Sequence, residues 1–191
     1  MTAGAAPGWL DRMRRGTSER AAARRLYVAL VARSRDPTFY GVLGVPDTLE
    51  GRFDMIVVHA VLLIGRLREG GAPGRRVAQA LFDTMMDDMD RNLREIGIGD
   101  LGVGRRVKAM ARAFYGRAAV YRRALAAGDE TALAAALVRN VWGGAAPSDD
   151  ARGALVAYVR ASERVLDGHA AERLIAGIPA FAPPPAGALG R

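Results

Sequence analysis

Four carboxylates, Asp83, Asp87, Asp88 and Asp90, crowd one short stretch of this chain, and a basic run, Arg105, Arg106, Lys108 and Arg112, follows across a glycine-rich turn. Asp83, Asp87 and Asp90 recur at i, i+4 and i+7, which places all three on one helical face. Carboxylates so aligned are candidate cation ligands. Helical di-iron sites, however, combine Glu with Glu-x-x-His on facing helices. Neither histidine here belongs to such a motif: His169 and Glu172 give the reversed order once, and His59 stands alone. His59 is expected as a hydrogen-bonded histidine at a core edge, and no metal is expected.

The turn offers a second chemistry. Gly97, Gly99 and Gly102 fit GxGxxG, and Gly99 and Gly104 approach the spacing of a phosphate loop. Both motifs need a preceding strand, whereas a helical pattern precedes this one, and Arg105 and Arg106 replace the Lys and Ser/Thr of the phosphate loop. The turn therefore reads as a tight helix connection, with Gly97 as a left-handed C-cap and Asp100 as the next N-cap. None of Ser18, Ser34, Ser148 and Ser162 lies in a G-x-S-x-G elbow. No nucleophile–base pair is evident, so neither an enzyme nor a cofactor nor a small-molecule substrate is expected.

The acids have a structural use as well. Folding the two helices back about Asp100 brings together residues whose numbers sum to about 200, so Asp83 is expected near Arg117, and Asp90 near Lys108 or Arg112. Opposite charges on facing helices would fix their register. Met85, Met86 and Met89 lie among the acids; they can pack in the core or line an adaptable groove for an apolar client helix. The candidate site is this hairpin, with Asp83, Asp87, Asp90, Arg94, Asp100, Arg105 and Lys108 either holding it together or touching a client or partner.

The elements that carry these residues are helical. Apolar residues recur at helical spacing over about 19–35, 48–69, 73–96, 102–128, 129–142 and 148–166, with a further turn over 169–175. Phe53, Ile56, Val57, Ala60, Leu63, Ile64 and Leu67 form the core face of the second helix. Asp47 or Thr48, Asp129, and Ser148 or Asp149 are suited to N-caps. The stretch Thr38 to Thr48 is broken by Gly41, Gly44 and Pro46 and reads as an ordered loop. No segment sustains a two-residue alternation. The expected fold is all-α: one compact domain of five to seven helices with a central antiparallel hairpin. Residues 1–18 form a flexible basic tail, 19–178 the helical domain, and 179–191 a Pro-rich tail, disordered or extended.

A chain of 191 residues is long enough for a real core. Its net charge of +8 is almost wholly arginine, Lys108 being the only lysine. Such a balance suits nucleic acid, a ribosomal surface or anionic lipid; it also follows from a coding bias toward Arg, Ala and Gly. The absence of cysteine excludes disulfides and thiolate sites. The start shows no secretory h-region, and the most apolar run, 55–65, is about half the ~20 residues of a membrane span. Trp9, Leu10 and Met13 share a face beside Arg12, Arg14 and Arg15, which suits a weak membrane anchor or a frayed terminus. Arg20, Arg24 and Arg25 form a second basic cluster.

Three segments carry a resemblance: GVPDTLEGRFDMIVVHAVLLIGRL from Gly44, LFDTMMDDMDRNLREIGIGDLGVGRRVKAMARAFYGRAAVY from Leu81, and AALVRNVWGG from Ala135. Together they resemble the ubiquinol–cytochrome c chaperone family, bacterial relatives of a mitochondrial cytochrome b assembly factor. The resemblance covers about residues 20–178, and the D-x-x-L-R-E-x-G-x-G-D-L-x-V-G pattern from Asp90 to Gly104 is its most specific part. It implies an all-helical, non-enzymatic assembly factor for the ubiquinol–cytochrome c reductase (respiratory complex III). Its implied client is newly made cytochrome b. It further implies work beside the ribosomal exit tunnel and at the cytoplasmic face of the inner membrane. From the residues alone, a basic helical ribosome- or RNA-associated protein without a specific client remains the alternative.

Overall fold

The computed structural model describes residues 9–185, with side chains from residue 16 onward. Among the described residues every regular element is a helix. In chain order these are α1 Trp9–Ser34, α2 Pro37–Gly41, α3 Leu49–Glu69, α4 Gly71–Glu95, α5 Asp100–Ala127, α6 Glu130–Val141, α7 Asp149–Asp167 and α8 Ala171–Ile175. Six are long; α2 and α8 are single turns of five residues.

Local chemistry explains most of the boundaries. The Thr48 hydroxyl accepts from Gly51 N–H at 3.1 Å, Asp129 from Ala132 N–H at 2.8 Å, and Ser148 from Ala151 N–H at 3.1 Å, opening α3, α6 and α7. Gly128 ends α5 in the left-handed conformation, at φ +66°. Two segments differ from expectation. α1 begins at Trp9 rather than near Glu19, because no proline interrupts 9–34 and Gly16 alone costs a helix only about 1 kcal/mol. The face expected from Trp9, Leu10 and Met13 lies outside the residues whose side chains are described. The supposed loop after Asp36 contains α2, since Pro37 fits the first helical position and the Asp36 side chain accepts from Thr38 N–H.

α3 is the axis of the molecule and packs against every other long helix and α8. One core face was expected; instead 53–64 is buried without interruption, with Met55, Val58, Val61 and Leu62 enclosed too. A helix apolar all round belongs at the centre of a bundle. α1 and α4 cover one side of it. α4 approaches α3 closely at Gly74, where a Cβ would lie 1.9 Å from the Leu67 carbonyl oxygen. α6 is tied in by Trp142, whose indole N–H donates to Leu43 O at 3.0 Å, and by Asn140, which donates to the Tyr121 hydroxyl at 3.0 Å. After α8 the chain runs extended back over the core, where Phe181 meets His59 edge-on at 5.1 Å and Ala182 is buried.

Candidate functional site

The α4–α5 hairpin forms, and its seam is aromatic. Phe82 packs on Phe114 at 5.1 Å and on Tyr115 at 5.2 Å between ring centres. This antiparallel register is within a few residues of that expected, but the ion pairs are different. Arg117 pairs with Asp54 of α3 rather than with Asp83. Asp90 pairs with Arg94 of its own helix at 2.6 Å rather than with Lys108 or Arg112. Apolar burial sets the roll of α4: Leu81, Met85, Met86, Met89 and Leu93 turn into the core, Asp83 and Asp87 are left exposed, and Asp88 and Asp90 are half-buried, with Asp88 accepting from the Tyr27 hydroxyl of α1 at 2.7 Å. The three methionines are thereby core residues and do not line a groove.

The seven candidate residues fall into three groups. Asp90, Arg94 and Asp100 come together: Arg94 donates to Asp90 on α4 and to Asp100 at the start of α5, clasping the tip of the hairpin. Gly97 there is left-handed, at φ +87°, as expected. Asp100 does not cap α5; Gly99 holds the cap position and Asp100 is spent on Arg94. Asp83 and Asp87 face a shallow hollow against α1, with Arg20, Arg24 and Arg91 around it. Gln79 donates to Asp83 at 2.7 Å. Arg105 and Lys108 are exposed on a separate face of α5. Among the described residues no group of three His, Asp or Glu side chains is arranged to hold a metal ion.

A second polar feature was not anticipated. Asp54, 3% exposed, meets Arg117 at 2.6 Å, although the guanidinium N–H is not aligned for a good hydrogen bond. Burial pushes the Asp54 carboxyl up to about 6 despite the opposing pull of Arg117. The Arg117 guanidinium also lies over the Phe53 ring at 5.7 Å. Above the pair opens a cavity of about 370 Å³ lined by Leu49, Leu93, Arg106 and Met110. The only hint in the sequence was an acid, Asp54, inside an otherwise apolar helix face.

His59 is fully buried rather than at a core edge. Its Nδ1–H donates to Met55 O and its Nε2 accepts from the Tyr158 hydroxyl, both at 2.7 Å. Burial holds it neutral, near 4. Tyr158 is hydrogen-bonded in turn to Ser162, whose oxygen accepts from Ala182 N–H at 3.3 Å. The chain of bonds ties the C-terminal segment through α7 to α3. Both ring nitrogens of His59 are thus occupied by structural partners.

An open groove runs between α6 and α7. It measures about 870 Å³, and Ala134, Ala135, Val138, Val156 and Ala157 line it, with Glu130, Arg139 and Arg152 at the rim. Short side chains on both walls let another backbone come close.

A family profile described as ubiquinol–cytochrome C chaperone matches residues 42–181. The chain belongs to the ubiquinol–cytochrome c chaperone family. It is 27% identical over 146 residues to the ubiquinol-cytochrome-c reductase complex assembly factor 1 of Xenopus laevis, covering 76% of this chain and 72% of that one. The mouse assembly factor 1 is 25% identical over 154 residues, covering 81% of this chain and 52% of its own. The chain therefore spans about half the length of that mammalian relative. Among solved structures, the Cbp3 homolog from Brucella abortus superposes with a TM-score of 0.80 at 37% identity, covering 90% of this chain and 94% of that one.

The span shared with the family contains the hairpin clasp, the Asp54–Arg117 pair, the His59–Tyr158–Ser162 part of the buried network and the α6–α7 groove. α1 lies before it. None of the described helices is long and apolar enough to cross a membrane.

Proposed function

We propose that the chain is an assembly factor for the ubiquinol–cytochrome c reductase complex and that it holds newly made cytochrome b until partners cover it. The observation that carries this reading is the match, over about three quarters of the chain, to proteins named as assembly factors of that complex. The α6–α7 groove is the surface we assign to the client. Ala134, Ala135 and Ala157 allow close helix approach, as small residues do between membrane helices. Glu130, Arg139 and Arg152 at the rim would set the orientation of the incoming helix. Shielding an apolar segment in this way prevents its aggregation and needs no bond-making step. In this reading Asp90, Arg94 and Asp100 maintain the hairpin, while Asp83, Asp87, Arg105 and Lys108 are free to meet a partner. The site of action is the cytoplasmic face of the inner membrane, beside the ribosome that makes the client.

Deletion of the gene tests the proposal. Cytochrome b and reductase activity should fall together, and wild-type protein should restore them. Ala135→Glu, which places a charge on the exposed wall of the groove, should fold normally and fail to restore them. Unchanged cytochrome b after deletion, with salt-sensitive RNA association of the purified protein, would favour a general RNA-associated role instead.

A further inference from the structure

α5 carries an unpartnered face that the client groove does not use. Leu101, Arg105, Lys108, Arg112 and Tyr115 recur at intervals of four, three, four and three, so they form one stripe along the helix, open except at Tyr115, one side of which rests on Phe82 of α4. Arg122 and Arg123 continue it. From Arg105 to Arg123 the stripe is about 27 Å long at 1.5 Å per residue. α5 holds no acid after Asp100, and Asp100 is engaged by Arg94. Among the described residues none of Arg105, Lys108, Arg112, Arg122 and Arg123 has an ion-pair partner. Arg122 and Arg123 border a hollow that also holds Glu69, Glu163 and Asp167, so the strongest positive field belongs to the hairpin end.

That end is also apolar. Leu101 is 90% exposed and Ile96 61%, both at the tip of the hairpin, and Tyr115 is half exposed further along. A single exposed aliphatic residue is ordinary. Two of them at one projecting tip, beside three unpaired cations and an exposed tyrosine, are the pieces of an interfacial anchor. We propose that the α5 face and the hairpin tip dock this protein on an anionic lipid bilayer. Leu101 and Ile96 enter the headgroup–acyl boundary, Tyr115 lies at headgroup depth, and Arg105, Lys108 and Arg112 meet the lipid phosphates. A polynucleotide would satisfy the cations equally well, but it has no use for exposed aliphatic side chains, since bases stack on aromatic rings and guanidinium planes. Arg94 acts as a positioning residue, because its bonds to Asp90 and Asp100 hold the tip in shape. The proposal builds on the reading of an assembly factor that works at a membrane, but vesicle binding is read without any client, so each can fail alone.

The test is co-sedimentation of the full chain with vesicles of phosphatidylcholine, with and without phosphatidylglycerol. Binding is expected only to the anionic vesicles, weakening as salt is raised. Neutralising one cation should lower the partition coefficient about fivefold, and R105Q/K108Q/R112Q about a hundredfold. Leu101→Asp should lower it at least tenfold. These side chains are exposed and make no internal contact that folding needs, which unchanged circular dichroism will verify. The chain has no cysteine, so Leu101→Cys accepts one environment-sensitive dye. Its emission should shift to the blue on anionic vesicles, and that of Asp150→Cys on α7 should not. The proposal is overturned by any of three results: no binding to anionic vesicles at low salt, binding that survives both variants, or binding confined to RNA and indifferent to Leu101→Asp.

Discussion

Asp54→Asn should stabilise this protein near neutral pH, although it removes one partner of a buried ion pair. The Asp54 carboxyl, ordinarily at 3.8, is raised to about 6, chiefly by burial. The folded state therefore holds the proton more tightly than the unfolded chain does. Such a group imposes no penalty below about pH 4, where both states are protonated. Its penalty grows between about 4 and 6 and is constant above. A difference of about two in pKa corresponds to about 3 kcal/mol at pH 7. The attraction of Arg117 is already contained in the raised value, so asparagine, which resembles the protonated acid, should recover up to about 3 kcal/mol at pH 7 and nothing near pH 4. His59 acts in the opposite sense. Its pKa falls from 6.5 to about 4 on burial, so stability is lost as pH drops through that window. The two slopes offset each other in the wild type, and Asp54→Asn exposes the His59 slope alone. Urea unfolding at several pH values, wild type against variant, reads the difference directly. A variant less stable at pH 7, or a difference that does not change with pH, would refute a raised Asp54 pKa.

Three further outcomes follow from particular contacts. Tyr158→Phe leaves His59 Nε2 buried without a donor, so it should cost about 1–3 kcal/mol in chemical denaturation, and proteolysis should then reach the segment around Phe181 sooner. Arg94→Ala should speed hydrogen exchange at Gly102 and Val103, whose amides bond to Gly99 O at the hairpin tip, while Lys108→Asp should not, since Lys108 takes no part in the clasp. Gly74→Ala forces a methyl group against the Leu67 carbonyl, a backbone atom that cannot rotate away, and thermal unfolding should show a loss of about 1–3 kcal/mol or more.

What could be read from the chain was what depends on near neighbours. Thr48, Asp129 and Ser148 cap helices through bonds to residues three positions away, and Gly97 and Gly128 announce helix ends by the backbone they permit. The hairpin followed from its glycine turn. Its ion pairs did not, because they depend on the roll of α4 about its own axis. That roll is set by Leu81, Met85, Met86 and Met89 entering a core to which α1 and α3 also contribute. The same dependence hid the pairing of Asp54 with Arg117, 63 positions further along. The α6–α7 groove was equally invisible, since alanines lining a groove look like alanines chosen for helix propensity. Family likeness filled part of this gap, because it carries tertiary information that no local pattern holds.

The most direct measurement on the central claim is capture of the tagged full chain from its own membranes, followed by mass spectrometry and a haem spectrum of the bound fraction. Cytochrome b should be enriched over other membrane proteins of similar abundance, and that enrichment should be lost with Ala135→Glu while the variant remains folded. Recovery of ribosomal proteins and RNA without cytochrome b, or capture unaffected by closing the α6–α7 groove, would contradict the claim.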